Sequence, residues 1–216
     1  MTHSLHREGT LDSLERDYTL FISPSSGFNY EGSVPKVRRL VDALYKAGVA
    51  NLIAMTLRKN SYSGVTPEEV IASITVEGTR VCSCFSSREK LTEALTRIKK
   101  LDEGISIVVS GIIDRVREIA AEVGIDPHTI NLSAGIYGRT DRLPPADIRE
   151  FTTMCGHGVV SPNLVRETIR RVRKKEVSEW EGSLTLAEPC ACGIFNPYRC
   201  AELLREKAPL YVVDRW

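Results

Sequence analysis

Four of the six cysteines of this 216-residue chain fall in one stretch, together with one of its four histidines. Cys155 and His157 share the turn Thr153-Met154-Cys155-Gly156-His157-Gly158. Cys190 and Cys192 share Glu188-Pro189-Cys190-Ala191-Cys192-Gly193, and Cys200 follows in Asn196-Pro197-Tyr198-Arg199-Cys200. Soft thiolates of this kind select zinc or an iron–sulfur cluster over magnesium or calcium. Cys155, Cys190 and Cys192 supply three sulfurs, and Cys200 or His157 is the candidate for a fourth, which would make an ordinary tetrahedral zinc set. Three cysteines alone would leave a cluster iron open to a substrate. Glycines beside the cysteines allow the backbone to bend, so that sulfurs converge and amides turn toward them. The spacing is Cys-x-Cys, not the Cys-x2-Cys of common zinc knuckles, so the pattern does not name the metal.

The same residues suit a second chemistry. A cysteine in a glycine turn ahead of a capped helix can have its pKa lowered by helix-terminal amides, which gives a usable thiolate. On that reading Cys155, His157 and Cys190 are catalytic. Thr153–Gly158 resembles the Met-Cys-Gly-His-Gly turn of the proline racemase family, and Pro189–Gly193 is similar to its second cysteine turn. The resemblance covers about a dozen residues and implies an acid/base thiol pair in Cys155 and Cys190. The two turns lie far closer together here than in that family, and the chain upstream does not match its fold. Only the thiol chemistry is therefore taken from it.

Composition is that of an ordinary globular protein, with 42% hydrophobic and 26% charged residues. A net charge of +1 supplies no field for nucleic acid or an anionic membrane. The basic run Arg166–Lys175 has the spacing of a solvated helix face. No apolar run approaches the ~18 residues that span a bilayer, and the first residues contain no secretory segment. A cytoplasmic protein is the expectation, where thiols stay reduced. Six cysteines there point to metal or thiol chemistry, or to small buried hydrophobes. A third possibility is a binding or maturation protein in which zinc only staples the helical part. The expected partner is a small-molecule substrate or cofactor, with a homo-oligomer left open.

The elements that must position these residues follow from periodicity. Strands are expected at 18–23, 51–57, 80–85, 105–110 and 129–133, alternating with amphipathic helices from residue 33 to 123. That alternation predicts a three-layer α/β fold with a mostly parallel sheet of five to six strands, a final strand coming from 210–213. Residues 1–16 read as a loose arm, 17–138 as the α/β domain, and 139–216 as a helical cysteine-bearing segment packed on it. Ligands of open parallel sheets bind beyond the carboxyl ends of the strands. The cysteine turns should therefore cap the loops there, with Phe28 and Phe195 as walls. Ser25, Ser26, Gly27, Ser110, Gly111, Ser133 and Tyr137 are the candidates to bind a substrate or cofactor in those loops. Asn29, Tyr30, Asp114, Arg139 and Asp141 stand within reach of them. Neither a Walker A loop nor a Gly-x-Gly-x-x-Gly is present. Cys82 and Cys84 share one face of the third strand by alternation.

Overall fold

In the strand Val81–Phe85 (β3) successive side chains turn to opposite faces, and both faces are buried. Val81 and Phe85 enter one apolar cluster, while Cys82 enters another. The computed structural model describes residues 6–211. The strands Tyr18–Ser23 (β1), Asn51–Ala54 (β2) and Ser106–Ser110 (β4) complete a four-stranded sheet in the order β2-β3-β1-β4. Every neighbouring pair is antiparallel. The expected parallel sheet of five to six strands is therefore wrong. β1 and β2 do point the same way, as a strand–helix–strand unit requires, but β3 lies between them and opposes both. β3 and β4 are likewise separated by β1. This is the ordering of the split β-α-β-β-α-β motif. Continuous apolar strands signalled burial on both faces, and burial does not by itself require parallel pairing.

Helices Ser33–Lys46 (α2) and Arg88–Leu101 (α4) cover one face of the sheet. Val37, Leu40, Val41 and Leu44 from the first and Leu91, Ala94, Leu95 and Ile98 from the second pack against Leu20, Ile22, Leu52 and Phe85. Pro67–Ser73 (α3) occupies the β2–β3 connection, and Thr66 and Glu69 close its capping box. Ile113–Val123 (α5) ends at Gly124, in the left-handed conformation that glycine adopts most readily. The expected strand at 129–133 does not form; residues 126–142 run exposed along the surface.

The opposite face is covered by Ala146–Thr152 (α6), Pro162–Arg173 (α7), Glu179–Ala187 (α8) and Pro197–Lys207 (α9). Ile148, Phe151, Val165, Ile169, Leu186, Phe195, Leu203 and Leu204 close there on Ile53 and Cys82. The expected last strand does not start: Ala208–Leu210 is a 3-10 turn, and 212–213 lie outside the described residues. Of the stretch expected as a loose arm, residues 6–16 are docked, with a short helix Leu11–Leu14 (α1). Arg7 from it donates to the Asp17 carboxylate and to the Ile194 carbonyl. Arg199 donates to Asp17 at 2.6 Å, to Ser13 Oγ at 2.9 Å and to the Glu8 carbonyl at 2.6 Å. Among the described residues no helix is long and apolar enough to cross a membrane.

Candidate functional site

The chain leaving α8 lies along the sheet in register with β2 and β3. Gly193 sits so close to β2 that a Cβ on it would stand 2.8 Å from the Ile53 nitrogen and 2.9 Å from the Leu52 carbonyl carbon. Ile53 is the cross-strand partner of Cys82. Two residues later the Phe195 carbonyl accepts from Asn51 Nδ2 at 3.1 Å and from Cys84 Sγ at 3.5 Å, and Asn51 and Cys84 are again partners. Asn196 then accepts the Arg199 amide as N-cap of α9 and donates to the Arg16 carbonyl at 3.0 Å and to Asp17 at 3.1 Å. The turn carrying Cys190 and Cys192 is thus seated on the sheet directly above the Cys82 position.

Cys155 comes to the same place from the turn after α6. Cys155, Cys190 and Cys192 are all buried. Cys190 Sγ lies 3.7 Å from Cys192 Sγ, and the Cys155 thiol also hydrogen-bonds to Cys190. Donation from both thiols, helped by the Cys192 and Phe195 amides, outweighs burial and holds Cys190 well below the ordinary thiol range. Donating to Cys190, together with burial, pushes Cys155 and Cys192 far above that range. Each of these sulfurs also receives the amide N–H two residues on: His157 for Cys155, Cys192 for Cys190 and Ile194 for Cys192. The arrangement brings three buried sulfurs together, with Cys190 placed to accept from its two neighbours. Among the described residues no group of three or more His, Cys, Asp or Glu side chains is placed to hold a metal ion.

The other site candidates are dispersed. Cys200, in α9, is fully buried, and burial followed by the Arg199 charge sets its environment. His157 is exposed, and its amide is directed at Cys155. Ser25 is half-buried, and Ser26 and Gly27 are exposed in the loop after β1. Ser110 is buried at the far end of β4, and Gly111 packs on Tyr18. Ser133 is exposed, 3.0 Å from His6 Nδ1, and the exposed Tyr137 donates to the Ala134 carbonyl.

These loops do not form one crevice. Ser23 pairs with Ser106 and Thr19 with Ser110, so the carboxyl ends of β1 and β4 point to opposite ends of the sheet. Phe28 is exposed and walls nothing, whereas Phe195 is buried beside the sulfurs. Two surface depressions, one lined by residues 142–145 with Ser161, Pro162, Asn163 and Arg166 and the other by the Asp12–Tyr18, Ser86–Glu89 and Arg115–Glu118 stretches, include none of the cysteines.

Sequence reasoning assigned no role to Arg7, Asp17 and Arg199, the buried ionic triad beside the cluster. Burial opposes the charge on Asp17, but Arg7 and Arg199 prevail and hold its carboxyl below the usual range. Arg199 carried a signal: it lies four residues before Leu203, on the buried face of α9. Arg7 carried none. No protein-family model, curated protein or solved structure matches this chain.

Proposed function

We propose that Cys155, Cys190 and Cys192 are a thiolate centre for one soft metal ion, zinc first among candidates, and that this is a metal-dependent or metal-handling protein. The 3.7 Å separation of Cys190 and Cys192 carries the reading. Two ligands of one tetrahedral ion with bonds of about 2.3 Å stand roughly 3.8 Å apart. The amides directed at all three sulfurs favour thiolates over thiols, which a soft cation requires. Binding an ion would require these thiols to give up their protons, so Cys155, Cys190 and Cys192 would hold it as thiolates and uptake would depend on pH. The burial of the sulfurs suits a closed, four-coordinate site better than one open to substrate.

Anaerobic purification followed by metal and acid-labile sulfide analysis tests this. One zinc per chain is the expected result, with proton release when zinc is added to the stripped protein. Iron with sulfide would replace the single ion by a cluster. A second reading rests on the contact of Cys190 with its neighbouring thiols: a metal-free acid/base thiol centre. A chain that retains no metal, binds no added zinc or cobalt and is alkylated first at Cys190 would refute the metal reading and favour the second.

A further inference from the structure

We infer that β4 is an interface between two copies of this chain: a second copy lays its own β4 antiparallel along the free edge, about a twofold axis at Val108. The inference is independent of the sulfur centre.

The sheet ends in two edges that are finished differently. β2 is buried along its whole length, and the Asn60–Tyr62 loop covers its outer side. There Ser61 Oγ accepts from the Leu52 amide at 2.9 Å, and the Tyr62 hydroxyl donates to the Ala50 carbonyl at 2.6 Å. β4 pairs with β1 alone. Among the described residues no backbone hydrogen bond joins Ile107, Val108 or Val109 to any other segment, and residues 129–133 of the same chain do not occupy the place. An open edge presents unpaired N–H and C=O groups that template pairing with another chain, and proteins usually guard it with charge, proline or a bulge. β4 reads Ser-Ile-Val-Val-Ser, without charge or proline, and its register with β1 runs unbroken over five pairs. Val108 is 39% exposed beside its half-buried cross-strand partner Phe21.

The strand itself names the occupant, because its sequence is nearly a palindrome. Antiparallel pairing about Val108 sets Ser106 opposite Ser110, Ile107 opposite Val109 and Val108 opposite itself. Like thus meets like on both faces, and β-branched pairs of this kind stabilise a sheet. The same symmetry answers the exposure of Phe28, which is 91% exposed. Asn29 Nδ2 donates to the Gly104 carbonyl at 2.6 Å, which holds the Phe28 loop at the amino end of β4. In an antiparallel pair that end lies beside the carboxyl end of the other copy's β4, so each Phe28 lies on the side of the other copy's β4–α5 turn. A five-residue pairing buries less than the ~1,200 Å² of a standard interface, so the dimer should be weak and concentration-dependent.

Sedimentation of the full chain between about 1 μM and about 1 mM, the range of weak association, tests this. The wild type should pass from monomer to dimer, and hydrogen exchange of the Ile107–Val109 amides should slow as concentration rises while that of β2 does not change. Val108→Lys sets two like charges face to face at an exposed position and should weaken association at least tenfold. Leu210→Lys, at a site 80% exposed and far from β4 in sequence, should leave it unchanged. Val108→Cys should close an intermolecular disulfide with oxidised glutathione, because directly paired residues stand about 4.5–5.5 Å apart at Cα, within disulfide reach; the wild type, whose six cysteines are all buried, should not. A wild-type chain that stays monomeric throughout would refute the inference, as would a dimer unaffected by Val108→Lys. A dimer that Val108→Lys disrupts but Val108→Cys does not cross-link would overturn the self-pairing and point to another segment, such as 129–133 of the second copy, on the edge. The exchange measurement needs no variant, so it decides the matter even if the substitutions disturb the fold.

Discussion

Replacing Gly193 by alanine tests whether the cysteine turn is seated on the sheet as described. Two penalties apply. The residue has φ of 68°, a left-handed conformation that costs an L-residue about 1–2 kcal/mol. The added methyl would also stand 2.8 Å from the Ile53 nitrogen, 2.9 Å from the Leu52 carbonyl carbon and 3.1 Å from Ile53 Cβ. Two of those neighbours are backbone in a paired strand, so no rotamer change relieves the contact, and overpacking of this kind costs about 1–3 kcal/mol. The loss should total roughly 2–5 kcal/mol. Gly64 supplies the control: its φ is 74°, and a Cβ there meets nothing within 4 Å. Gly64→Ala should therefore cost only the ~1–2 kcal/mol of backbone strain. Urea unfolding of the two variants, monitored by far-ultraviolet circular dichroism, gives the difference directly. A Gly193→Ala loss no larger than that of Gly64→Ala would refute the close approach to β2 and, with it, the placement of Cys190 and Cys192 over Cys82.

Asp17→Asn removes the carboxylate shared by Arg7 and Arg199 and should destabilise by about 3–5 kcal/mol, the cost of stranding buried charge; chemical denaturation at neutral pH checks it. Because the folded-state pKa of Asp17 is depressed, its contribution is fully present above the unfolded value of about 3.9 and fades as pH falls toward the folded value. The acid limb of the wild-type stability curve should thus be steeper than that of Asp17→Asn, and superimposable limbs would contradict the pairing. Asn196→Ala loses a helix cap and two further donations inside the protein, so it should cost at least ~2 kcal/mol, against ~1 for the exposed cap Ser161→Ala. Equal melting-temperature shifts for the two would refute the bridging role of Asn196.

Local signals in this sequence were readable because they depend on neighbours within a few residues. The capping boxes Thr66–Glu69 and Ser178–Glu181 form as their spacing implies, and Asn196 caps α9. The N-cap of α4 is Ser87, which accepts from the Lys90 amide. Strand pairing was not readable in this way. The pattern strand–helix–strand fixes the relative direction of β1 and β2, yet it says nothing about which strand fills the space between them. Long-range pairing decides that, and it also decides that the loops holding Ser25, Ser110 and Ser133 do not meet. The stretch 129–133 has the composition of a strand but pairs with no edge, and strands gain their stability from cross-strand neighbours more than from propensity.

The cysteines show the same division. Their glycine-bent turns were visible in sequence, and Cys155, Cys190 and Cys192 do converge. Where they sit on the sheet depends on an extended run, Gly193 to Asn196, lying along β2 and β3. Gly193 meets Ile53 beside Cys82, and Phe195 meets the Asn51–Cys84 pair. Ser83, between Cys82 and Cys84, faces the opposite layer and donates to the Leu20 carbonyl. Register between a loop and a sheet therefore decides what the cysteine turn meets on the sheet. Sequence spacing alone carries no trace of that register, because the two segments are more than a hundred residues apart.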